Sequence, residues 1–241
     1  MRRLVFLLTA MAVTLVLASG VAWAVTKIGT NGPDTLRGTN KSDNLLGKGG
    51  NDALFGLGGS DNLLGGEGKD WVLGGNERRL SGGDKNLVGG PANDGVIGGN
   101  GSDNALGGSG NDVVFGVTGS DSVVGQEGRD LVDGWYGSDR VVGGEGADWL
   151  TDPYRDTSKD TLSGGDGNDV FFVDNRTATR DIISCGDGFD RVAADTKDRV
   201  AADCEQVRRN PTAGRDLSEE LAEEGLDEVF FFEGLAPFPE G

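Results

Sequence analysis

Large apolar residues recur every nine positions along most of the chain, separated by polar, glycine-rich stretches. Apolar runs this short, bounded by glycine turns, predict β-strands, because glycine in every turn would repeatedly destabilise a helix. A short strand buries one face only by stacking on equivalent strands, so the pattern predicts a solenoid. The apolar positions are Leu36, Leu45, Leu54, Leu63, Val72, Leu80, Leu87, Val96, Ala105, Val114, Val123, Val132, Val141 and Leu150.

An aspartate in a glycine-rich turn precedes most of these apolar residues by two positions. GGSGNDVVF, at residues 107–115, fits the pattern G-G-x-G-x-D-x-U-x, where U is a large apolar residue. This nonapeptide is known as a calcium-binding repeat of β-solenoids. The in-register aspartates, which we predict to bind calcium, are Asp34, Asp43, Asp52, Asp61, Asp70, Asp94, Asp103, Asp112, Asp121, Asp130, Asp139 and Asp148.

Calcium requires more oxygen ligands than one such turn supplies. The ion takes six to eight oxygens, and Mg²⁺ is disfavoured because it demands strict octahedral geometry and keeps its water. With two nonapeptides in each coil, turns eighteen residues apart lie about 4.8 Å from each other. We therefore expect several Ca²⁺ ions, each held between such turns. The expected aspartate pairs are 34 with 52, 52 with 70, 43 with 61, 94 with 112, 112 with 130, 103 with 121, 121 with 139 and 130 with 148.

The repeat is disturbed between Val72 and Val96. Its spacing falls to eight and then seven residues, and Arg78 and Lys85 occupy the expected aspartate positions. We therefore expect the number of turns to be unchanged and two carboxylates to be missing. The calcium sites next to Asp61 and Asp70 should then be weak or empty. The stretch is either a decayed repeat or a place where a basic side chain replaces calcium between neighbouring aspartates.

Acidic residues dominate the charge of the chain. It has 40 acidic residues, 22 basic residues and no histidine, which gives a formal net charge of −18. Binding to nucleic acid needs a basic patch to neutralise the phosphates. The sequence has no such patch, so nucleic acid is excluded as a partner. The acids recur in register with the glycines, which disorder or solubility alone does not explain, and cations are the expected partners.

The N-terminal residues resemble an export signal. Arg2 and Arg3 precede an apolar run, and Ala22-Trp23-Ala24 fits a cleavage site, so we expect residues 1–24 to be removed. The alternative is a membrane anchor, but the run is short and no basic stop-transfer cluster follows it. We expect a secreted, extracellular or cell-surface protein without a membrane span after processing.

The rest of the chain divides into three parts. Residues 25–150 carry the regular repeat, 151–209 carry looser coils with two insertions, and 210–241 form an acidic tail that is either a short helix or disordered. Phe230, Phe231 and Phe232 in that tail either cover an open solenoid end or belong to a disordered segment. In an exported protein the pair Cys185 and Cys204 predicts a disulfide that caps the looser coils, with two free thiols as the alternative.

From these motifs the chain resembles the RTX, or haemolysin-type, calcium-binding repeat family of secreted bacterial proteins. GLGGSDNLL, GGNGSDNAL and GGSGNDVVF carry the likeness, which extends over residues 29–207. The resemblance implies an all-β, right-handed parallel β-roll with calcium in its turns, and extends the metal sites to Asp160, Asp169 and Asp190. The chain departs from the family in two features. Many members leave through a C-terminal signal, whereas we expect an N-terminal signal peptide here. Many also attach the roll to a toxin, protease or lipase, and we expect no such partner domain in this chain.

The absence of histidine argues against several classes of enzyme. Neither an H-E-x-x-H zinc site nor a Ser-His-Asp or Cys-His arrangement is possible. Asp152, Asp156 and Asp174 are the only acids that the repeat leaves over for carboxylate catalysis. We therefore predict a non-enzymatic calcium-binding protein that acts as an extracellular structural or interaction module.

Two groups of non-core residues offer contact surfaces. Trp135, Tyr136, Trp149 and Tyr154 either pack an irregular coil or bind an extracellular polysaccharide, which gives the alternative function of a polysaccharide-binding or polysaccharide-acting accessory protein. Residues that follow the core positions form an outward stripe for docking on a cell-surface protein or for self-association, unless neighbouring turns cover it. The stripe consists of Phe55, Leu73, Val88, Leu106, Val124 and Val142.

Overall fold

Two parallel sheets stacked against each other make up the structure. The computed structural model describes residues 23–76, 83–84, 86–152, 156–173 and 179–209. Within these residues the protein is a parallel β-solenoid, as the sequence predicts, and it has about nine turns. No helix in this part of the chain is long and apolar enough to cross a membrane.

Successive strands alternate between two ten-stranded sheets. Sheet 1 contains β1 (Thr26–Ile28), β3 (Asn44–Gly49), β5 (Asn62–Glu67), β7 (Asn86–Pro91), β9 (Asn104–Ser109), β11 (Ser122–Glu127), β13 (Arg140–Glu145), β15 (Thr161–Asp166), β17 (Ile182–Asp187) and β19 (Arg199–Val200). Sheet 2 contains β2 (Thr35–Arg37), β4 (Ala53–Leu57), β6 (Trp71–Asn76), β8 (Gly95–Asn100), β10 (Val113–Gly119), β12 (Leu131–Gly137), β14 (Trp149–Thr151), β16 (Val170–Val173), β18 (Arg191–Ala194) and β20 (Gln206–Arg209).

The core lies between the sheets and contains the residues that set the nine-residue period. In sheet 2, Val96, Val114 and Val132 lie side by side in neighbouring strands, eighteen residues apart. The corresponding residues of sheet 1 pack against them in one continuous apolar cluster. This core is one residue wide in most half-coils and two residues wide in β16, β17 and β18, so its stability depends on stacking many coils.

The structure corrects the predicted repeat count between β6 and β8. Leu63 pairs with Leu87, and Val72 pairs with Val96, so a single half-coil separates Val72 from Val96. The prediction of a separate half-coil at Leu80 is wrong, because the surplus residues fall between β6 and β7. Residues 77–82 and Lys85 lie outside the described residues, as does the hypothesis that Arg78 replaces calcium.

The changed count also divides the predicted outward stripe. Phe55 and Leu73 lie on sheet 2, whereas Val88, Leu106 and the two valines that follow lie on sheet 1. One continuous stripe of these six residues is therefore wrong. An error of one half-coil moves every later residue to the opposite sheet, because consecutive half-coils alternate between the two.

The last described coil is fastened covalently and by hydrogen bonds. Cys185, which follows the core residue of β17 by two positions, forms a disulfide with Cys204, just before β20. Arg209 at the end of β20 donates from Nη1 to the carbonyl oxygens of Asp195 (2.9 Å) and Asp198 (3.1 Å). The predicted disulfide is thus present, and in the chain-entropy model a loop of this size contributes about 3 kcal/mol.

Candidate metal centre

Acidic residues, most of them buried aspartates, form one column along each edge of the solenoid. Each aspartate lies in the turn that leads into a strand, and the column takes its number from the sheet that follows. Column 1 contains Asp43, Asp61, Asp84, Asp103, Asp121, Asp139, Asp160, Asp181 and Asp198. Column 2 contains Asp34, Asp52, Asp70, Asp94, Asp112, Asp130, Asp148, Asp169, Asp190 and Glu205.

One hydrogen bond repeats between neighbours in each column. The backbone N–H of Asp94 donates to Oδ1 of Asp112 (2.8 Å), and the N–H of Asp112 donates to Oδ1 of Asp130 (2.8 Å). The bond fixes each side chain and aligns consecutive turns, and it joins all of the aspartate pairs predicted from the sequence. All fifteen predicted metal-site residues lie in the two columns.

The second carboxylate oxygen is the chemically unsatisfied group in most of these turns. Burial of an oxygen acceptor without a hydrogen bond costs free energy, and more when the acceptor is charged. In each of these turns Oδ2 is buried and accepts no hydrogen bond. The residues concerned are Asp52, Asp61, Asp70, Asp94, Asp103, Asp112, Asp121, Asp130, Asp139, Asp148, Asp169 and Asp190.

A glycine five residues earlier makes room for this oxygen. A Cβ atom built on Gly107 would lie 2.5 Å from Oδ2 of Asp112 and 2.7 Å from the carbonyl oxygen of Gly125. The glycine thus leaves a small space where a carboxylate of one coil meets a backbone carbonyl of the next. Carboxylate and carbonyl oxygens are the ligands of Ca²⁺, so these residues suit that ion.

The first coil differs from the others, because protein groups satisfy its Oδ2 atoms. Asp34 Oδ2 accepts from the backbone N–H (2.6 Å) and Oγ1 (2.9 Å) of Thr30. Asp43 Oδ2 accepts in the same way from Thr39. The Thr30 N–H bond lowers the pKa of Asp34. These two predicted ligands are therefore less suited to calcium than those in the following coils.

Burial strongly disfavours the charged form of the column carboxylates when no metal is bound. It raises the pKa of Asp94 to about 9, with a further upward contribution from Asp112 and Asp70 and an opposing one from the Asp70 N–H. Burial likewise raises the pKa of Asp112 to about 7 and that of Asp61 to about 6. Each column therefore requires cations or protons at neutral pH.

The calcium-binding nonapeptide is also what comparison with protein families finds. The family model, which describes four copies of the RTX calcium-binding nonapeptide repeat, matches five stretches of the chain that together cover more than half of it: residues 28–63, 46–78, 81–114, 115–150 and 156–175. The chain belongs to this RTX repeat family. A comparison with individual curated proteins gave no match.

Sequence analysis missed four acids in the columns of this RTX repeat protein. Asp84, and not Lys85, occupies the expected position in column 1, where it links Asp61 to Asp103. No carboxylate is therefore lost at this point of the column. Asp70 likewise bonds onward to Asp94. The expectation that Asp61 and Asp70 lose their next partners is thus wrong. Asp181, Asp198 and Glu205 precede Ile183, Val200 and Val207 by two positions, the offset that could have revealed them.

An additional acid lies beside column 1 at the first insertion. One carboxylate oxygen from each of Asp152, Asp160 and Asp181 lies within 4.8 Å of the others, and all three residues are buried. Asp152 occupies the position that glycine has in the regular turns. Burial, followed by the charges of nearby aspartates that include Asp181, raises the pKa of Asp160 to about 8.

The aromatic residues near this insertion separate into two groups. Trp149 is buried against Phe172, with ring centroids 5.6 Å apart, and so packs the outer face of sheet 2. Trp135 and Tyr136 form an edge-on pair that remains 39% and 42% exposed. Tyr154 lies outside the described residues, as do Asp174 and the phenylalanines of the tail.

Substitution of a turn glycine should separate calcium binding from general packing. In Gly107→Ala the new Cβ collides with Oδ2 of Asp112 and the Gly125 carbonyl, so we expect a weaker calcium site and a loss of about 1–3 kcal/mol in saturating calcium. The matched control is Gly49→Ala, whose Cβ would lie no closer than 3.8 Å to other atoms. Equal melting temperatures for the two variants would contradict the proposed role of the glycine.

Proposed function

We propose that this RTX repeat protein is an exported, extracellular structural or interaction module whose coils fold as calcium binds. The repeated, buried and unsatisfied Oδ2 atom carries the proposal. A metal ion bound there would supply the positive charge that the columns lack, and carboxylates and carbonyls of consecutive coils would hold it. Residues 1–24 support export, since they have the features of a cleavable signal.

Folding and metal binding should be one process because the two columns oppose folding without cations. Like charges in successive turns repel by about 1 kcal/mol for each pair in water and by more where water is excluded. In most half-coils the core offers a single apolar residue to offset this repulsion and the loss of chain entropy. When the sites form only in the folded state, the free energy of metal binding becomes free energy of folding.

Asp112→Asn tests the proposal because it should change the stability of the fold differently in calcium and in chelator. Asparagine keeps the Oδ1 acceptor for the Asp94 N–H and replaces the unsatisfied Oδ2 by an uncharged amide. We expect lower stability than wild type in calcium, and equal or higher stability in chelator, because one buried charge is removed. Calorimetric calcium titration and thermal melts measure both.

Asp187→Asn is the control, because the Asp187 side chain is exposed and lies outside both columns. It should leave calcium uptake and both melts within about 0.5 kcal/mol of wild type. Calcium uptake by Asp112→Asn equal to wild type would contradict the assignment of this column. Detection of the mature chain only inside the producing cell would contradict the extracellular role.

The exposed pair Trp135 and Tyr136 favours a second candidate, the binding of extracellular polysaccharide. Exposed aromatic rings stack on the apolar faces of sugars, and Trp135 has a backbone φ of 66°, which is uncommon for a large residue. A glycan array with wild type and Trp135→Ala separates this candidate from a module that binds calcium alone. A hit lost in the variant would favour it.

A further inference from the structure

The last coils lack the glycine that makes room beside the carboxylates of the earlier turns. In a regular turn this glycine follows the core residue by two positions, as Gly107 follows Ala105, and it leaves space for Oδ2 of the next aspartate. We call strands β16 to β20, residues 170–173 and 179–209, the terminal unit. The equivalent positions in this unit hold Val173, Cys185 and Ala194.

These side chains widen the apolar core of the terminal unit. Val173, Cys185 and Ala194 are fully buried and belong to the same core cluster as the residues of the nine-residue period. All four residues of β16 are buried, because Phe172 also packs against Trp149 on the outer face of sheet 2. Each of β16, β17 and β18 therefore contributes two residues to the core, and the second fills the position that glycine leaves open in regular turns. The added burial of apolar surface stabilises these coils.

The carboxylates of the terminal unit also differ from those of the regular turns. Oδ1 of Asp198 accepts from the Asp181 N–H (3.1 Å), and its Oδ2 accepts from the Asp195 N–H (2.9 Å). Oδ2 of Asp190 accepts no hydrogen bond, but Cys185 replaces the glycine five residues before it. The unit thus has one turn in which both carboxylate oxygens are hydrogen-bonded, and another in which a side chain occupies the position that leaves space in regular turns.

A covalent bond joins the coils of the terminal unit. Cys185 and Cys204 are nineteen residues apart, so their disulfide links consecutive coils, as an ion held between turns eighteen residues apart would. Arg209 adds the hydrogen bonds from Nη1 to the carbonyl oxygens of Asp195 and Asp198. A unit this small needs such a cross-link, because a core of this size contributes little stability by itself.

The charge of the terminal unit is nearly balanced, unlike that of the regular coils. Residues 179–209 contain six basic and seven acidic residues, whereas residues 43–148 contain seven basic and seventeen acidic residues. Without cations, like charges therefore repel strongly in the regular coils. In the terminal unit basic side chains already supply most of the neutralising charge, and exposed ones include Lys197, Arg199 and Arg208.

We propose that the terminal unit folds without calcium and remains folded when the ion is removed from the regular coils. The proposal rests on the proposed function and narrows it, because calcium then controls the coils from β3 to β13 and not the end of the solenoid. Apolar side chains, a disulfide and basic residues do at this end what the ion does elsewhere. They fill the turns, join consecutive coils and balance the charge.

Hydrogen exchange of the processed chain, residues 25–241, tests the proposal in chelator. Amides that stay hydrogen-bonded exchange slowly, so β17 and β18 should exchange on the order of a hundredfold more slowly than β10 and β11. In calcium all four strands should be protected. Reduction of the disulfide in chelator should abolish the protection of β17 and β18, since the cross-link then no longer constrains the unfolded chain.

Two matched valine variants test whether the terminal unit is independent of the regular coils. Val173 and Val132 are both fully buried on sheet 2, one in the terminal unit and the other in a regular coil. In chelator Val173→Ala should speed the exchange of β17 and β18 by about tenfold, because it opens a cavity in the core. Val132→Ala should change that exchange by less than about twofold, because distant sites act independently. In calcium both variants should show the protection of folded strands, which excludes a general failure to fold.

The pattern of exchange separates failure of this proposal from failure of the proposed function. Slow exchange of β17 and β18 in chelator with fast exchange of β10 and β11 supports the terminal unit. Fast exchange of all four strands overturns it and leaves the coupling of calcium to folding intact. Slow exchange of all four strands overturns the proposed function and, with it, a unit distinct from the regular coils. Protection that survives reduction overturns the role of the disulfide, and equal acceleration by both valine variants overturns the independence of the unit.

Discussion

Removal of calcium should convert the processed chain, residues 25–241, from β structure to mostly coil. The buried Oδ2 atoms of both columns then lose their counter-ions, and the core is too narrow to offset the repulsion together with the entropy of the chain. Folded proteins retain only about 5–15 kcal/mol of net stability. The free-energy cost of burying uncompensated carboxylates in successive coils readily exceeds this amount. Circular dichroism in chelator and then in millimolar calcium measures this change.

Two controls define the calcium effect. Magnesium at the same ionic strength should restore much less β signal, since it prefers six ligands in strict octahedral geometry. Renewed addition of calcium should restore the full signal, which excludes irreversible aggregation as the cause of the loss. A complete β signal in chelator would contradict the coupling of metal binding and folding.

When the pH is lowered in chelator, protons bound to the column carboxylates should partly take the place of calcium. Burial raises the pKa of Asp94 to about 9 and the pKa values of Asp112 and Asp130 to about 7, whereas an unfolded chain titrates near 3.9. Across about pH 4 to 9 the metal-free fold thus binds more protons than the unfolded chain, and its stability decreases as pH rises. A rise in pKa from about 4 to about 7 corresponds to about 4 kcal/mol for one buried group.

We therefore expect the β signal in chelator to increase as the pH falls from about 8 to about 5, a window that these raised pKa values define. In calcium the affinity should decrease over the same range, because protons compete for Oδ2. The titration should stop above the isoelectric point near 4.3, and sedimentation at each pH excludes aggregation. A β signal in chelator that is constant or decreases on acidification would contradict this mechanism.

The nine-residue period was sufficient to predict the fold and most of the candidate site. Leu54, Val114 and Leu150 are fully buried, and the aspartate two residues before each lies in a column. Such a prediction works because each coil contacts only its neighbours, so local spacing fixes the stacking. The offset of two residues also identifies Asp181, which a strict count of the period passes over.

The period failed where the turn length changes. Asp84 precedes Leu87 by three positions, and the turn that contains it absorbs the surplus residues between β6 and β7. Spacing alone cannot distinguish a long turn from two short half-coils, because a turn can expand without disturbing the strands on either side. Register between Leu63 and Leu87 settles the count, and with it the sheet on which each later residue lies.

The sequence by itself determined the repeating unit: a strand with one buried aliphatic residue, a glycine turn and a carboxylate at a fixed offset. Only the tertiary structure decided that in most coils Oδ1 of the aspartate bonds to the preceding coil while Oδ2 remains unsatisfied, and that Thr30 and Thr39 satisfy the first coil. The reason is physical, since a carboxylate has two oxygens, and which of them accepts a hydrogen bond depends on how the turns fold: the partner of Oδ1 lies eighteen residues away in Asp112, whereas the partner of Oδ2 in Asp34 lies only four residues away.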